Sequence, residues 1–198
     1  MKKFIACALF ALLTPLALAK PTIGEQAPDF TLVDTYGASH TLKEFAGKTV
    51  VLEWTNDGCP FVQKHYNSDN MQSLQKKYTA DGVVWLSIIS SAEGKQGNVT
   101  PAEANTLTTE RSASPSYVLL DESGDVAKMY AARTTPHMYI IDKAGVLQYN
   151  GAIDSIRSAD KSDIAKATNY VDVALTELAS GSAISDPLTK PYGCSIKY

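Results

Sequence analysis

The sequence predicts a single α/β domain. Residues 50–54 and 83–89 are mostly apolar and rich in β-branched side chains, which is typical of buried strands, and a helical stretch lies between them. A strand, a helix and a second strand in succession favour a parallel βαβ unit. At 198 residues, with 44% hydrophobic and 20% charged side chains, the chain is long enough to cover one core.

The first 19 residues have the pattern of a secretory signal. Lys2 and Lys3 precede an apolar run over residues 4–13, and Ala17-Leu18-Ala19 supplies small residues for cleavage. An apolar run of about ten residues is too short to span a bilayer, which needs about 20. We therefore expect a periplasmic or secreted protein that begins at Lys20, without stable membrane insertion.

Loss of this segment would change the formal net charge from −3 to −5, because Lys2 and Lys3 lie within it. An acidic chain without a basic cluster is a poor surface for nucleic acid, so no nucleic-acid partner is expected. Cleavage would also leave two of the three cysteines, Cys59 and Cys194. An even pair in an oxidising compartment favours a disulfide between them.

The segment before the first buried strand, residues 23–45, predicts a β-hairpin or short strand pair followed by a helical turn. Apolar residues flank a turn at Tyr36-Gly37. After residue 59 we expect a helix to Tyr78, with an interruption at residues 67–70.

The second half of the domain predicts a further set of alternating elements. A capping box at Thr100-Pro101-Ala102-Glu103 opens a helix to about Ser112. The following elements are expected to be a strand at 117–121, a short helix at 126–131, a β-hairpin within 138–149 and a last helix at 162–179. The predicted boundaries are thus a signal at 1–19, a domain at 20–181 and a tail at 182–198.

The chemistry is expected where the strand at 50–54 ends. Asn56-Asp57-Gly58 favours a turn, and Pro60 suits the first position of a helix because its missing N–H would have no partner there. Cys59 would then lie at the helix N-cap. Unpaired N–H groups and the helix dipole favour its thiolate, which is the reactive form.

This turn resembles the active-site turn of the thioredoxin superfamily, in the redoxin branch that includes alkyl hydroperoxide reductase/thiol-specific antioxidant proteins. The resemblance rests on Cys-Pro-Phe-Val at 59–62, on Gly-x-x-Ala-Pro-Asp-Phe at 24–30, and on Thr135-Pro136 before an apolar strand. It implies a thioredoxin-like fold: a central mixed β-sheet flanked by helices, with an N-terminal β-hairpin extension. It also implies a cis bond before Pro136, with this proline against Cys59.

This sequence matches only part of the active-site motif of thioredoxins and only part of that of peroxiredoxins. Val62 occupies the position of the second cysteine of a Cys-x-x-Cys motif, while Asn56 and Leu52 replace the Thr or Ser and the Pro of peroxiredoxins. The remaining candidate for a resolving thiol is Cys194, and the sequence leaves open whether this cysteine is resolving, structural or free. The 13 residues after Gly181 reach at most about 43–47 Å, and a domain of this size has a radius of gyration of about 16 Å, so the tail can reach Cys59.

The leading hypothesis is an exported thiol oxidoreductase, with Cys59 as nucleophile and Cys194 as the resolving cysteine. Its substrate would be a peroxide or a protein thiol or disulfide, and a thiol reductant would recycle it. No cofactor and no resident metal are expected.

Four further side chains are candidates for the site. Glu53, if buried, would have a raised pKa and would pass a proton to the leaving thiolate; otherwise it is a satisfied or edge-exposed carboxylate. His137 would lie near Cys59 and lower its pKa, while Asn56 and Thr135 would position hydrogen bonds at the sulfur. We expect His65 to be a surface or packing residue.

Two alternatives remain open from the sequence. Thiolate and imidazole suit copper, so Cys59 with His65 or His137 would serve a metal-delivery module on the same fold. A redox-inert domain with a structural Cys59–Cys194 disulfide is the other alternative.

Overall fold

The structure, a computed structural model, describes residues 20–198, so the expected signal segment lies outside the described residues. Seven strands form the main sheet, in the order β2-β1-β5-β4-β3-β7-β8. Their bounds are Thr31–Asp34 (β1), Ser39–Thr41 (β2), Val50–Trp54 (β3), Val84–Ile89 (β4), Tyr117–Leu120 (β5), His137–Ile141 (β7) and Leu147–Gly151 (β8); Thr134–Thr135 (β6) and Cys194–Ser195 (β9) form a separate two-stranded sheet.

The main sheet is mixed. Strand β4 runs parallel to β3 and β5, whereas β7 pairs with β3 and β8 in antiparallel fashion. The expected parallel βαβ unit and the thioredoxin-like α/β fold are confirmed. The β1–β2 hairpin extends the sheet at the edge of β5, as the N-terminal pattern predicts.

Five α-helices accompany the sheet in the described residues. They are Pro60–Tyr66 (α1), Asn70–Ala80 (α2), Pro101–Glu110 (α3), Asp125–Met129 (α4) and Tyr170–Ala179 (α5). The expected capping box opens α3: the Thr100 side chain accepts from the N–H of Glu103, and the Glu103 side chain accepts from the N–H of Thr100. The interruption after α1 is also confirmed, since Asp69 adopts a left-handed conformation (φ 57°) immediately before α2.

The expected helix at 162–179 is wrong in its first part. Residues Lys161–Lys166 form a 3₁₀ helix instead, and α5 begins only at Tyr170. The side chain of Asn169 accepts a hydrogen bond from the N–H of Asp172, so a new N-cap starts the helix there.

Strand β3 is buried on both faces. Val50, Leu52 and Trp54 belong to one apolar cluster, while Val51 belongs to the other, which contains residues of α1, α2 and α5. Glu53 shares the second face. The strand therefore brings a carboxyl group into the core beneath the helix that follows Cys59.

The tail returns across the domain after α5. Leu188 bridges to Asn150, β9 pairs with β6, and Lys197 bridges to Ser91. This path crosses the carboxyl end of β3, where α1 begins. No helix among residues 20–198 is long and apolar enough to cross a membrane.

Candidate active site

Cys59 occupies the N-cap of α1, with Pro60 at the first helical position. Its backbone is extended (φ −84°, ψ 120°), as an N-cap requires. The residue is 0% exposed, because other parts of the chain cover the sulfur. The covering segments come from two distant parts of the sequence.

The first covering segment contains the bond between Thr135 and Pro136, which is cis as predicted. The sulfur of Cys59 lies 3.1 Å from the main-chain oxygen of Thr135. The contact uses the main chain, whereas the Thr135 hydroxyl oxygen is buried without a hydrogen-bond partner in the described part of the chain. Pro136 thus belongs to the loop that faces the cysteine.

The second covering segment is the tail. The sulfurs of Cys59 and Cys194 are thiols 2.6 Å apart, and the N–H of Cys194 donates to the Cys59 sulfur at 3.4 Å. Cys194 itself is partly exposed. A movement of well under 1 Å would bring the two sulfurs to disulfide bonding distance, about 2.05 Å.

The two thiols have different acidities. Burial raises the pKa of Cys59, but hydrogen bonds from the Cys194 thiol, the Val62 N–H and the Cys194 N–H outweigh burial, so the pKa lies below its ordinary value. Burial and the neighbouring Cys59 sulfur raise the pKa of Cys194 to about 11. Deprotonation of the pair therefore gives a Cys59 thiolate beside a Cys194 thiol.

Glu53 is completely buried and hydrogen-bonded. Its carboxylate oxygens accept from four donors, Tyr66 Oη (2.8 Å), Trp85 Nε1 (2.8 Å), Ser87 Oγ (3.0 Å) and Gln75 Nε2 (3.1 Å). Burial raises the pKa of Glu53, and the four donors only partly offset that rise. Glu53 is thus inside the core and not at an exposed edge.

Asn56 does not direct its side chain to the sulfur, which corrects the sequence-based expectation. Its Oδ1 accepts from the N–H of Gly58 at 3.0 Å, and its Nδ2 donates to the main-chain oxygen of Gln96 at 3.1 Å. The side chain of Gln96 donates in turn to the main-chain oxygen of Gly58. Asn56 therefore holds the turn before Cys59 against the loop that follows β4.

His137 is also placed differently from the expectation. Its Nδ1 accepts from the N–H of Arg133 at 3.2 Å, and its Nε2 lies 2.8 Å from Asn150 Oδ1. Burial lowers the pKa of His137 to about 4, so the ring is neutral near pH 7. The low pKa of Cys59 comes from Cys194 and main-chain N–H groups and does not require an imidazolium.

The structure contains a buried cluster of polar side chains under the tail that the sequence did not predict. Lys64 and Asp154 form a buried ion pair at 2.8 Å, and the hydroxyl of Tyr192 donates to Asp154 and accepts from Lys64 Nζ at 3.2 Å. We call Lys64, Asp154 and Tyr192 the Tyr192 anchor. Tyr192 lies two residues before Cys194, but no short sequence pattern links it to residues 64 and 154.

His65, expected at the surface or in packing, is completely buried beside the Tyr192 anchor. Its Nδ1 lies 2.9 Å from Asn70 Nδ2, and its Nε2 lies 3.4 Å from the Tyr192 hydroxyl. Burial lowers the pKa of His65 to about 4. In residues 20–198, no three His, Cys, Asp or Glu side chains lie close enough together to hold a metal ion.

Comparison with known proteins agrees with this arrangement. Residues 23–150, well over half of the chain, match the model of the AhpC/TSA family. The chain belongs to the AhpC/TSA family. The matched region includes Cys59 and the cis-proline loop, while Cys194 lies beyond it.

Relatives of this AhpC/TSA chain include named bacterial proteins. It is 31% identical over 126 residues to the "Thioredoxin-like protein YneN" of Bacillus subtilis (63% of this chain, 68% of the relative). It is 29% identical over 126 residues to the "Thiol-disulfide oxidoreductase ResA" of Bacillus thuringiensis (64% and 67%). The crystal structure of an uncharacterized conserved protein from Geobacillus kaustophilus is similar with a TM-score of 0.75 and 27% identity, covering 89% of this chain and 92% of that one.

Proposed function

We propose that the protein is an exported thiol-dependent oxidoreductase in which Cys59 and Cys194 form the redox pair. The observation that carries this proposal is the approach of the two sulfurs to 2.6 Å, opposite a cis-proline loop. The two residues are 135 positions apart in the chain, so local geometry does not force this contact.

The reaction is a two-electron exchange. In the reduced protein the tail first moves aside, because Cys59 is completely buried beneath it. The Cys59 thiolate then attacks one sulfur of a substrate disulfide, and the other substrate sulfur leaves as a thiolate. Cys194 then gives its proton, through solvent, to the substrate thiolate already released, attacks the Cys59 sulfur and releases the second substrate thiolate. This step leaves a Cys59–Cys194 disulfide, and the second thiolate takes up a proton from solvent, which replaces the proton that Cys59 lost on ionising. The hydrogen bonds of Glu53 all go to core side chains and none goes to either sulfur, so we assign no proton transfer to Glu53 in this exchange.

Protein disulfides and thiols are the favoured substrate class over peroxides. Relatives named as thiol-disulfide oxidoreductases support this choice. Among the described residues, the polar contacts of the Cys59 sulfur come from Cys194, Thr135 and the Val62 N–H, and no arginine is one of them. A peroxidase would be favoured by a cationic side chain there, which would stabilise the oxygen that leaves.

The test begins with a redox titration in glutathione buffers, in which thiols are counted at each potential. We expect a single reversible two-electron transition and loss of both thiols together. Treatment of the reduced protein with hydrogen peroxide and a sulfenic-acid trap distinguishes the substrates. If Cys59 reacts with peroxide no faster than free cysteine does, the protein is not a peroxidase. A much faster reaction would show that peroxide, and not a protein disulfide, is the substrate.

A structural disulfide is the second candidate, since Cys59 is completely buried. It predicts that Cys59→Ala and Cys194→Ala destabilise the protein equally and that the oxidised protein resists glutathione. Export is tested separately: the mass of protein purified from the extracytoplasmic fraction should correspond to a chain that begins at Lys20.

A further inference from the structure

The tail holds one side chain that is much more buried than those around it. Tyr192 is 3% exposed, while Pro191 and Gly193 on either side of it are partly exposed. Its ring packs against Phe61 of α1, with ring centroids 5.8 Å apart. Tyr192 is therefore the point at which the segment before Cys194 enters the core.

The hydroxyl of Tyr192 completes the hydrogen bonding of a buried charge. Lys64 has three N–H donors, and they reach Asp154 Oδ2 (2.8 Å), the main-chain oxygen of Ile156 (2.9 Å) and the Tyr192 hydroxyl (3.2 Å). The Lys64 side chain is 0% exposed. A buried ammonium that loses one partner has no water to replace it, so this site favours the tyrosine hydroxyl strongly.

The Tyr192 anchor connects the two halves of the thiol pair. Lys64 lies on α1, the helix whose N-cap is Cys59, and Tyr192 lies two residues before Cys194. Gly193, between Tyr192 and Cys194, adopts φ 142°. A Cβ atom at this position would lie 2.0 Å from the main-chain oxygen of Thr135. The chain thus passes directly over the cis-proline loop, and a shift of Tyr192 would move Cys194 away from Cys59.

We propose that Tyr192 is a positioning residue for the thiol pair: its hydroxyl, bound by Lys64 and Asp154, keeps the tail closed over Cys59 before the disulfide forms. The inference rests on the proposed redox function of Cys59 and Cys194. The binding of the Tyr192 hydroxyl by Lys64 and Asp154 would then have two effects. A closed tail covers Cys59 against reagents, and it keeps Cys194 in place for the step that closes the disulfide.

The test uses Tyr192→Phe, which retains the ring against Phe61 and removes only the hydroxyl. Tyr198→Phe is the matched control, because Tyr198 is a tail tyrosine outside the Tyr192 anchor, with its hydroxyl 3.4 Å from the main-chain oxygen of Ala132. Access is measured as the rate of iodoacetamide alkylation at Cys59, read by peptide mass spectrometry in the full-length Cys194→Ser chain. We expect Tyr192→Phe to raise this rate at least tenfold, because the hydroxyl makes two hydrogen bonds to charged groups and one such bond alone corresponds to about tenfold. Tyr198→Phe should leave the rate unchanged.

Closure is measured in chains that retain both cysteines. The reduced protein is mixed with an aromatic disulfide, and release of the second aromatic thiol reports attack of Cys194 on Cys59. We expect Tyr192→Phe to slow this second step about tenfold, while the melting temperature of the reduced protein shows that it is folded. Unchanged access and closure in the folded variant would overturn the inference. Release of only one aromatic thiol by the wild-type protein would instead overturn the proposed function itself.

Discussion

At the scale of single residues, the two cysteines differ in both exposure and acidity. Cys59 is covered and has the lower pKa, whereas Cys194 is partly exposed and has a pKa of about 11. A thiol of lower pKa is the better leaving group in disulfide exchange. A reductant that meets the disulfide should therefore attack the sulfur of Cys194 and release Cys59 as the thiolate.

This prediction is tested with glutathione. The oxidised protein is mixed with glutathione, quenched in acid after a short interval, alkylated and digested. Mass spectrometry should find glutathione on Cys194 and the alkyl group on Cys59. Glutathione on Cys59 in the first intermediates would contradict the prediction and would show that the tail opens before exchange.

Glu53 gives a prediction about pH. Its pKa is raised in the folded protein, so the folded state retains a proton that the unfolded chain loses near its ordinary pKa of 4.5. The contribution of Glu53 to stability is thus complete below about pH 4.5 and falls as the pH rises through the folded pKa. The free energy of unfolding, measured in urea from pH 5 to pH 8, should decline less steeply in Glu53→Gln than in the wild type. Parallel curves would mean that Glu53 has the same pKa in both states.

The sequence predicted the position of Cys59 but not the environment of the histidines. A turn followed by Pro60 is a local signal, and it placed Cys59 at the N-cap of α1 correctly. The state of His137 depends on Asn150 of β8, and that of His65 depends on burial among α1, α2 and the tail. Such contacts join distant segments, so no local pattern could predict them.

At the scale of elements, the segment from Tyr192 to Cys194 is held against the cis-proline loop through Gly193. An alanine there would combine backbone strain at φ 142° with a contact of 2.0 Å to a main-chain oxygen. Gly181 offers a matched control, because it also has positive φ (76°) but nothing lies within 4 Å of its Cβ position. Gly181→Ala should cost only the backbone strain, about 1 kcal/mol.

Gly193→Ala should therefore affect the thiol pair, while Gly181→Ala should not. We expect Gly193→Ala to slow closure of the disulfide by at least tenfold, since the tail must move away from Thr135 to admit the methyl group. Stopped-flow measurement of the closing step in both variants checks this. Equal rates in the two variants would show that the tail adapts without moving Cys194.

The sequence predicted the helices and strands correctly where a cap or an apolar run within a few residues defines them. Strands β3 and β4, the capping box at Thr100 and the break before α2 follow from short patterns. The last helix was predicted too early because its apolar spacing continues upstream of Tyr170. The Asn169 cap, with its hydrogen bond to the Asp172 N–H, decided the start instead.

At the scale of the whole molecule, the Cys59–Cys194 contact closes most of the chain into a loop. The two cysteines are 135 positions apart, and a disulfide across such a loop restricts the unfolded chain by about 4–5 kcal/mol in the chain-entropy model. The tail path that creates this loop was beyond sequence analysis, which showed only that its length sufficed. Its contacts, from Leu188 to Lys197, lie on strands and loops far away in the chain.

Oxidation should thus stabilise the whole domain. We expect the free energy of unfolding, measured in urea, to be about 4–5 kcal/mol higher for the oxidised protein than for the reduced protein. The Cys194→Ser variant is the control and should show no response to reductant, because its tail remains but cannot form the bond. A smaller difference in the wild type would indicate that the reduced tail already restricts the unfolded chain or that the disulfide strains the folded one. No difference at all would mean that the pair does not form a disulfide in solution, and the redox assignment of Cys194 would then be wrong.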